Sequence, residues 1–306
     1  MIVDEMKPTL KQWILAFRPW SFPASTMPAL TALTFVFFQY HTGAVSGVNW
    51  MNGWLALPGV LACHAGGNLI SDYYDYRYGV DRKESFGSSR LLIEGVFRPV
   101  TILWYGYLFL LAGALTGIYL MLHSGVHLLW IGVAGITGSV FYYRLKYRAL
   151  GDLLIFLIYG LLIALGTAYV MTSQLNVPVL LLSMPTGFLV VNILHANNTR
   201  DILHDRQAHI RTQAMLLGLK ASKVQYALLA LGSYVAVVLP VIFRAVHPLC
   251  LSVLVTLPLA FKNIRQMRTA QIEHPERIRD LDGKSAQLVL AFGLLLIISN
   301  VLAAWI

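Results

Sequence analysis

Apolar residues fall along this chain in long blocks separated by shorter polar stretches. A helix that crosses the hydrocarbon of a bilayer needs about 20 mostly apolar residues. Blocks of that kind recur at roughly 20–40, 54–74, 101–122, 127–143, 150–171, 178–197, 224–243, 246–262 and 286–306. Pro and Gly inside several of them are tolerable, because neighbouring helices satisfy the backbone groups they free. The pattern predicts an all-α, polytopic membrane protein of nine transmembrane helices, built as one domain over 1–306.

Composition agrees with the pattern. Of 306 residues, 57% are hydrophobic and 12% charged, where soluble domains carry about 25% charged residues. A soluble core of this size would still need a charged surface, so lipid is the missing solvent. Met1 to Arg18 is polar and amphipathic and runs into a block of spanning length, which points away from a cleavable leader. Cys63 and Cys250 both lie in apolar stretches without metal-ligand spacing.

The net charge of +9 raises nucleic acid and anionic lipid as partners. The basic residues, however, come in short clusters between apolar blocks, with no continuous basic arm, which argues against nucleic acid. With the N-terminus on the cytoplasmic side, 22 of the 23 Lys and Arg fall in cytoplasmic segments and only Arg244 falls outside. That alternation is the positive-inside pattern, and it places the chain in the cell's inner (cytoplasmic) membrane. All 14 acidic residues lie on the same side. The topology rule does not require this, so the cytoplasmic face carries something that uses carboxylates.

Two acidic motifs stand at the ends of the second and sixth blocks. In Gly67-Asn68-Leu69-Ile70-Ser71-Asp72-Tyr73-Tyr74-Asp75, a continuing helix puts Asn68, Asp72 and Asp75 on one face. In Asn197-Asn198-Thr199-Arg200-Asp201-Ile202-Leu203-His204-Asp205, the same holds for Asn197, Asp201 and Asp205. Carboxylates one turn apart repel unless a cation joins them. Mg²⁺ suits such a site, taking one or two carboxylates and completing its octahedron with water and phosphate oxygens. A lone Asp near a span end is ordinarily a solvated cap; two matching faces are harder to explain that way. Asp81, after Gly79, is either a further ligand or a turn residue. Arg82, Lys83, Arg90, Lys146, Arg148, Arg200, Arg206 and Arg211 lie near these acids, and Arg90 and Lys146 are the foremost candidates to hold diphosphate oxygens. Asp152 is either a helix cap or a substrate contact.

With both motifs in view, the chain resembles the UbiA superfamily of intramembrane aromatic prenyltransferases, and within it the branch containing 1,4-dihydroxy-2-naphthoate polyprenyltransferase. The likeness covers nearly the whole chain: Arg18-Pro19-Trp20-Ser21-Phe22-Pro23-Ala24, the first motif with Tyr78-Gly79-Val80-Asp81, Leu145 to Asp152, and the second motif through Arg211-Thr212. The resemblance implies nine helices, a cytoplasmic site, a lateral opening for the isoprenoid, and Mg²⁺ bound by both motifs. It implies transfer of a polyprenyl group from polyprenyl diphosphate to an aromatic acceptor. Carried over by position, Asp72, Asp75, Asp201 and Asp205 become the catalytic metal set, and Asn68, Asn197, Asn198 and Arg200 adjoin it with Arg90 and Lys146. Three segments depart from the family pattern: Ser71 in place of Asn, His209-Ile210 in place of Gly-Lys, and Phe86 to Gly95.

Other classes fit less well. CDP-alcohol phosphotransferases need an Asp-Gly-x-x-Ala-Arg string, which is missing. An ion-coupled transporter places its acids near the bilayer midplane, and a catalytically dead binding protein has no use for four stacked carboxylates.

Overall fold

The computed structural model describes residues 8–82 and 89–306. A short helix α1 (Leu10–Ala16) is opened by a capping box in which Thr9 and Gln12 satisfy each other's backbone N–H groups. The longer helices follow: α2 (Pro23–His41), α3 (Trp50–Arg77), α4 (Pro99–Ser124), α5 (Leu128–Lys146), α6 (Gly151–Thr172) and α7 (Leu180–Arg200). After a one-residue break at Asp201 come the short α8 (Ile202–Gln207), then α9 (Gln213–Ile242), α10 (Pro248–Arg268) and α11 (Leu281–Ala303). The described residues contain no strand; an isolated bridge joins Arg148 to Arg211.

Seven helices among the described residues are long and apolar enough to cross a bilayer: α4, α5, α6, α7, α9, α10 and α11. This is an integral membrane protein. The nine-span expectation is met on apolarity at seven. The two remaining segments, α2 and α3, have ample length at 19 and 28 residues. Pro, Ser and Thr dilute the apolar content of α2, and Asn, His, Asp and Tyr dilute that of α3.

That dilution matches position. Helix α2 is buried along most of its length against α6, α7 and α11, so its neighbours are protein and not lipid. The main apolar core joins these four helices through residues such as Val36, Ala164, Leu182 and Phe292. Helix α7 is the axis of the bundle: 61% of its most apolar stretch is buried, against 17% for α5 at the rim. Helices α6 and α7 touch backbone to backbone, since a Cβ on Gly187 would lie 2.5 Å from the Cα of Gly160. Ser183 donates to the Gly160 carbonyl at 2.7 Å. There α6 widens into a π-helical stretch, Phe156–Leu162, a form that recurs at functional sites.

Candidate functional site

Helices α3 and α8 both end in the same way. After α3, Gly79 takes a left-handed conformation (φ +67°), its N–H donates to the Tyr76 carbonyl, and the Val80 N–H reaches the Asp75 carbonyl at 2.8 Å. After α8, His209 (φ +56°) donates to Arg206, and Ile210 to the Asp205 carbonyl at 3.2 Å. These are Schellman closures. In each, the residue whose carbonyl takes the longer bond is a motif aspartate. The reversal after α3 turns Asp81 back toward the bundle, where it joins the site.

The two ends converge on a cavity of about 200 Å³. Asn68, Asp75, Lys146, Asn197, Asn198 and Arg200 line it, with Asp201, Asp205 and Asp81. The predicted faces thus meet, with three differences. Asp72 does not line the cavity; Ser71 does. At about 100° per residue, Asp72 stands about 60° round the helix from Asp75, and it faces the Arg18 guanidinium and accepts from Ser89 Oγ at 2.9 Å. The second motif is not one continuous helix, because α7 ends at Asp201 before α8 begins. Arg90 lies outside the cavity, half-exposed, with its Nε 3.4 Å from Glu94. Lys83 is outside the described residues.

Charge in the cavity is unevenly matched. Asp75 receives Lys146 Nζ at 3.2 Å, Ser71 Oγ at 3.4 Å and the Tyr147 hydroxyl. Arg200 grips Asp201 through two bonds of 2.9 and 2.8 Å and reaches Asp282 at 3.3 Å. By contrast, Asp205 Oδ2 and Asn197 Oδ1 are buried without a hydrogen-bond partner. Burial pushes the carboxyls of Asp205 and Asp81 up to about 7; Lys146 opposes the shift at Asp205, and neighbouring Asp75 and Asp72 add to it at Asp81. Oxygens left bare in a buried site call for a hard cation or its waters. The donor set therefore fits Mg²⁺. Among the described residues, no three His, Cys, Asp or Glu side chains form a cage by themselves, so a bound ion would draw further oxygens from its substrate.

A second cavity of about 330 Å³, almost wholly apolar, continues inward between α3, α4, α5 and α6. Cys63, His64, Ser139, Ile158 and Tyr159 line both. His64 is fixed at this junction by Ser25 Oγ, 2.8 Å from its Nδ1. Sequence reading missed His64, Tyr142 and Tyr159, which sit within apolar blocks where His and Tyr read as core. Arg18 lay in a quoted segment, but nothing local announced its partner 54 residues on.

A charged chamber opening on an apolar one, inside a membrane helical bundle, has the form of a site for an amphiphile with an anionic head and an apolar tail. The chain belongs to the UbiA prenyltransferase family, whose sequence pattern matches residues 26–279, and it is a prenyltransferase. It is 33% identical over 298 residues to UbiA prenyltransferase domain-containing protein 1 of Xenopus tropicalis, covering 95% of this chain and 82% of that one. The Homo sapiens protein of the same name is 31% identical over 301 residues, with 95% and 83% covered. Among solved structures, a UbiA homolog from Archaeoglobus fulgidus bound to GPP and Mg²⁺ superposes with a TM-score of 0.62 at 15% identity, covering 94% of this chain and 99% of that one. A digeranylgeranylglyceryl phosphate synthase gives 0.58 at 15% identity, with 95% and 98% covered. Both sequence relatives are animal proteins whose name does not specify an acceptor. Kinship therefore reaches the family, and not the menaquinone branch that the motifs suggest.

Proposed function

We propose that this enzyme transfers a polyprenyl group from polyprenyl diphosphate to an aromatic acceptor with Mg²⁺, and that the acceptor is 1,4-dihydroxy-2-naphthoate, giving demethylmenaquinone. The observation that carries the reading is the continuity of the acid-lined chamber with the apolar one. In this reading a diphosphate occupies the first and an isoprenoid the second, with the bond between them near Tyr142, Tyr159 and His64. The membrane is the inner (cytoplasmic) membrane, with the acidic end facing the cytoplasm.

Asp75 and Asp81 at one end, and Asn197, Asp201 and Asp205 at the other, would each share a metal with oxygens of the substrate, with Asp72 set behind them. Mg²⁺ held there would supply charge neutralisation for the departing diphosphate. Lys146 and Arg18, now facing Asp75 and Asp72, supply N–H donors to the oxygens the metal does not take. The bond from prenyl C1 to oxygen breaks with its electron pair on the diphosphate, and a ring carbon of the acceptor bonds to C1. With the naphthoate, the carboxyl leaves that carbon as CO₂ and its bonding pair returns to the ring. Tyr142 and Tyr159 line the chamber, where aromatic rings would stabilise an allylic cation, and the apolar lining would exclude the water that quenches it.

The test is purified enzyme with labelled polyprenyl diphosphate and 1,4-dihydroxy-2-naphthoate, in Mg²⁺ or in EDTA. A Mg²⁺-dependent demethylmenaquinone product is expected. Product only with 4-hydroxybenzoate or another phenol would replace the acceptor, and no product with any acceptor would overturn the transfer chemistry.

A further inference from the structure

Behind the cavity lies a buried polar network whose full membership was not apparent from the sequence. His195 on α7 is fully buried, with Nδ1 2.9 Å from Asp152 Oδ2 on α6 and Nε2 3.1 Å from the Ser222 carbonyl on α9. Asp152 also accepts from Asn198 Nδ2 and from Gln225 Nε2, each at 3.2 Å. A carbonyl oxygen can only accept, so His195 Nε2 carries a proton and donates it to Ser222. That nitrogen is spent, and His195 is no general base. On the other side the Asn198 and Gln225 amides both donate to Asp152, whose Oδ2 also meets His195 Nδ1.

Asn198 is the one member of this network that also lines the cavity. Its amide nitrogen is committed to Asp152, so its carbonyl oxygen is the atom left for a ligand. Resting on the metal-dependent reading above, we propose that Asp152 is a positioning residue that locks the Asn198 amide, so that the second motif offers an acceptor oxygen and not an N–H to a cation-bound diphosphate. Were the amide turned over, the N–H would face a cation and repel it. His195 and Gln225 hold Asp152 in place from behind. Partners of this kind typically govern metal affinity by about 10–100-fold.

The test measures Mg²⁺-dependent binding of geranyl diphosphate by calorimetry, beside the melting temperature of each variant. D152A should bind at least about tenfold more weakly. N198D sets two carboxylates face to face and should bind about 100-fold more weakly. The double variant D152N/N198D swaps the roles: the new amide at 152 donates to the new carboxylate at 198, whose other oxygen faces the cavity. It should recover at least about tenfold over N198D, an outcome that a merely structural role for Asp152 does not produce. A double variant that folds and binds no better than N198D overturns the proposal, as does wild-type affinity in D152A. If the wild-type enzyme itself fails to bind geranyl diphosphate with Mg²⁺, the metal-dependent reading falls first, and that result is separate from either.

Discussion

The two acidic helix ends share a sequence pattern and a backbone closure, yet they carry charge in opposite ways. At the end of α3, helix runs unbroken through the motif, and its aspartates are matched by Arg18 and Lys146. At the junction of α7 and α8 the helix breaks at Asp201, which Arg200 grips, while Asp205 Oδ2 and Asn197 Oδ1 are buried and bare. The first end is matched by the protein, and the second is matched only in part, at Asp201. A buried carboxylate oxygen without a partner costs stability, a cost that a bound cation would relieve.

The sharpest way to break this contrast is to remove the charge at each end in turn. D205N should lower single-turnover prenyl transfer by at least about a thousandfold, the scale of several kcal/mol of lost charge stabilisation, while the melting temperature without Mg²⁺ holds or rises. D75N should also lose turnover, but with a lower melting temperature, because Lys146 is left buried without its partner. If D205N retains full activity, the second end is not a cation site.

A smaller effect concerns pH. Asp81 and Asp205, held at about 7 by burial, are raised above the ordinary carboxylate value. Their share of stability is therefore fully present below about pH 4 and lost as pH rises through 7. A cation competes with those protons. Added Mg²⁺ should thus raise the melting temperature more at pH 8 than at pH 6, and an equal gain at both values would detach these two acids from the metal.

The smallest expected effect tests the closures themselves. His209 occupies the left-handed position that Gly79 fills at the other end. A side chain there costs roughly 1 kcal/mol, so H209G should stabilise slightly and G79A should destabilise by about as much, both read from denaturant or thermal unfolding. Equal shifts of the same sign in both would show that the two closures are not alike.

Much of this was legible in the sequence, because hydrophobic blocks and same-face acids are local signals. The convergence of Asn68, Asp75, Asn197 and Asp205 follows from helical spacing and from the ends of two helices meeting. What escaped depends on contacts distant in sequence. Nothing near Asp72 indicates that Arg18 will claim it, and nothing near Asp152 names His195 and Gln225. The departure at His209 was visible as an odd residue, but its meaning, a left-handed backbone in a Schellman closure, needed the fold. Lys146 stood out as a basic residue near the site, whereas its pairing with Asp75 comes from the packing of α5 on α3.

The length of α3 has a consequence for where chemistry takes place. Its 28 residues make a rod of about 42 Å, some 12 Å more than the hydrocarbon of a typical bilayer is thick. Trp54 near its start and Tyr74 near its end are separated by about 30 Å along the axis, the spacing of the two aromatic belts that mark membrane boundaries. Were α3 to cross the bilayer with these rings in the two belts, Asp72 and Asp75 would lie at the level of the lipid headgroups. A substrate with a phosphate head and a hydrocarbon tail would then meet the enzyme at the depth it already occupies as a lipid, and its charge would not have to be dragged into oil for the reaction to begin.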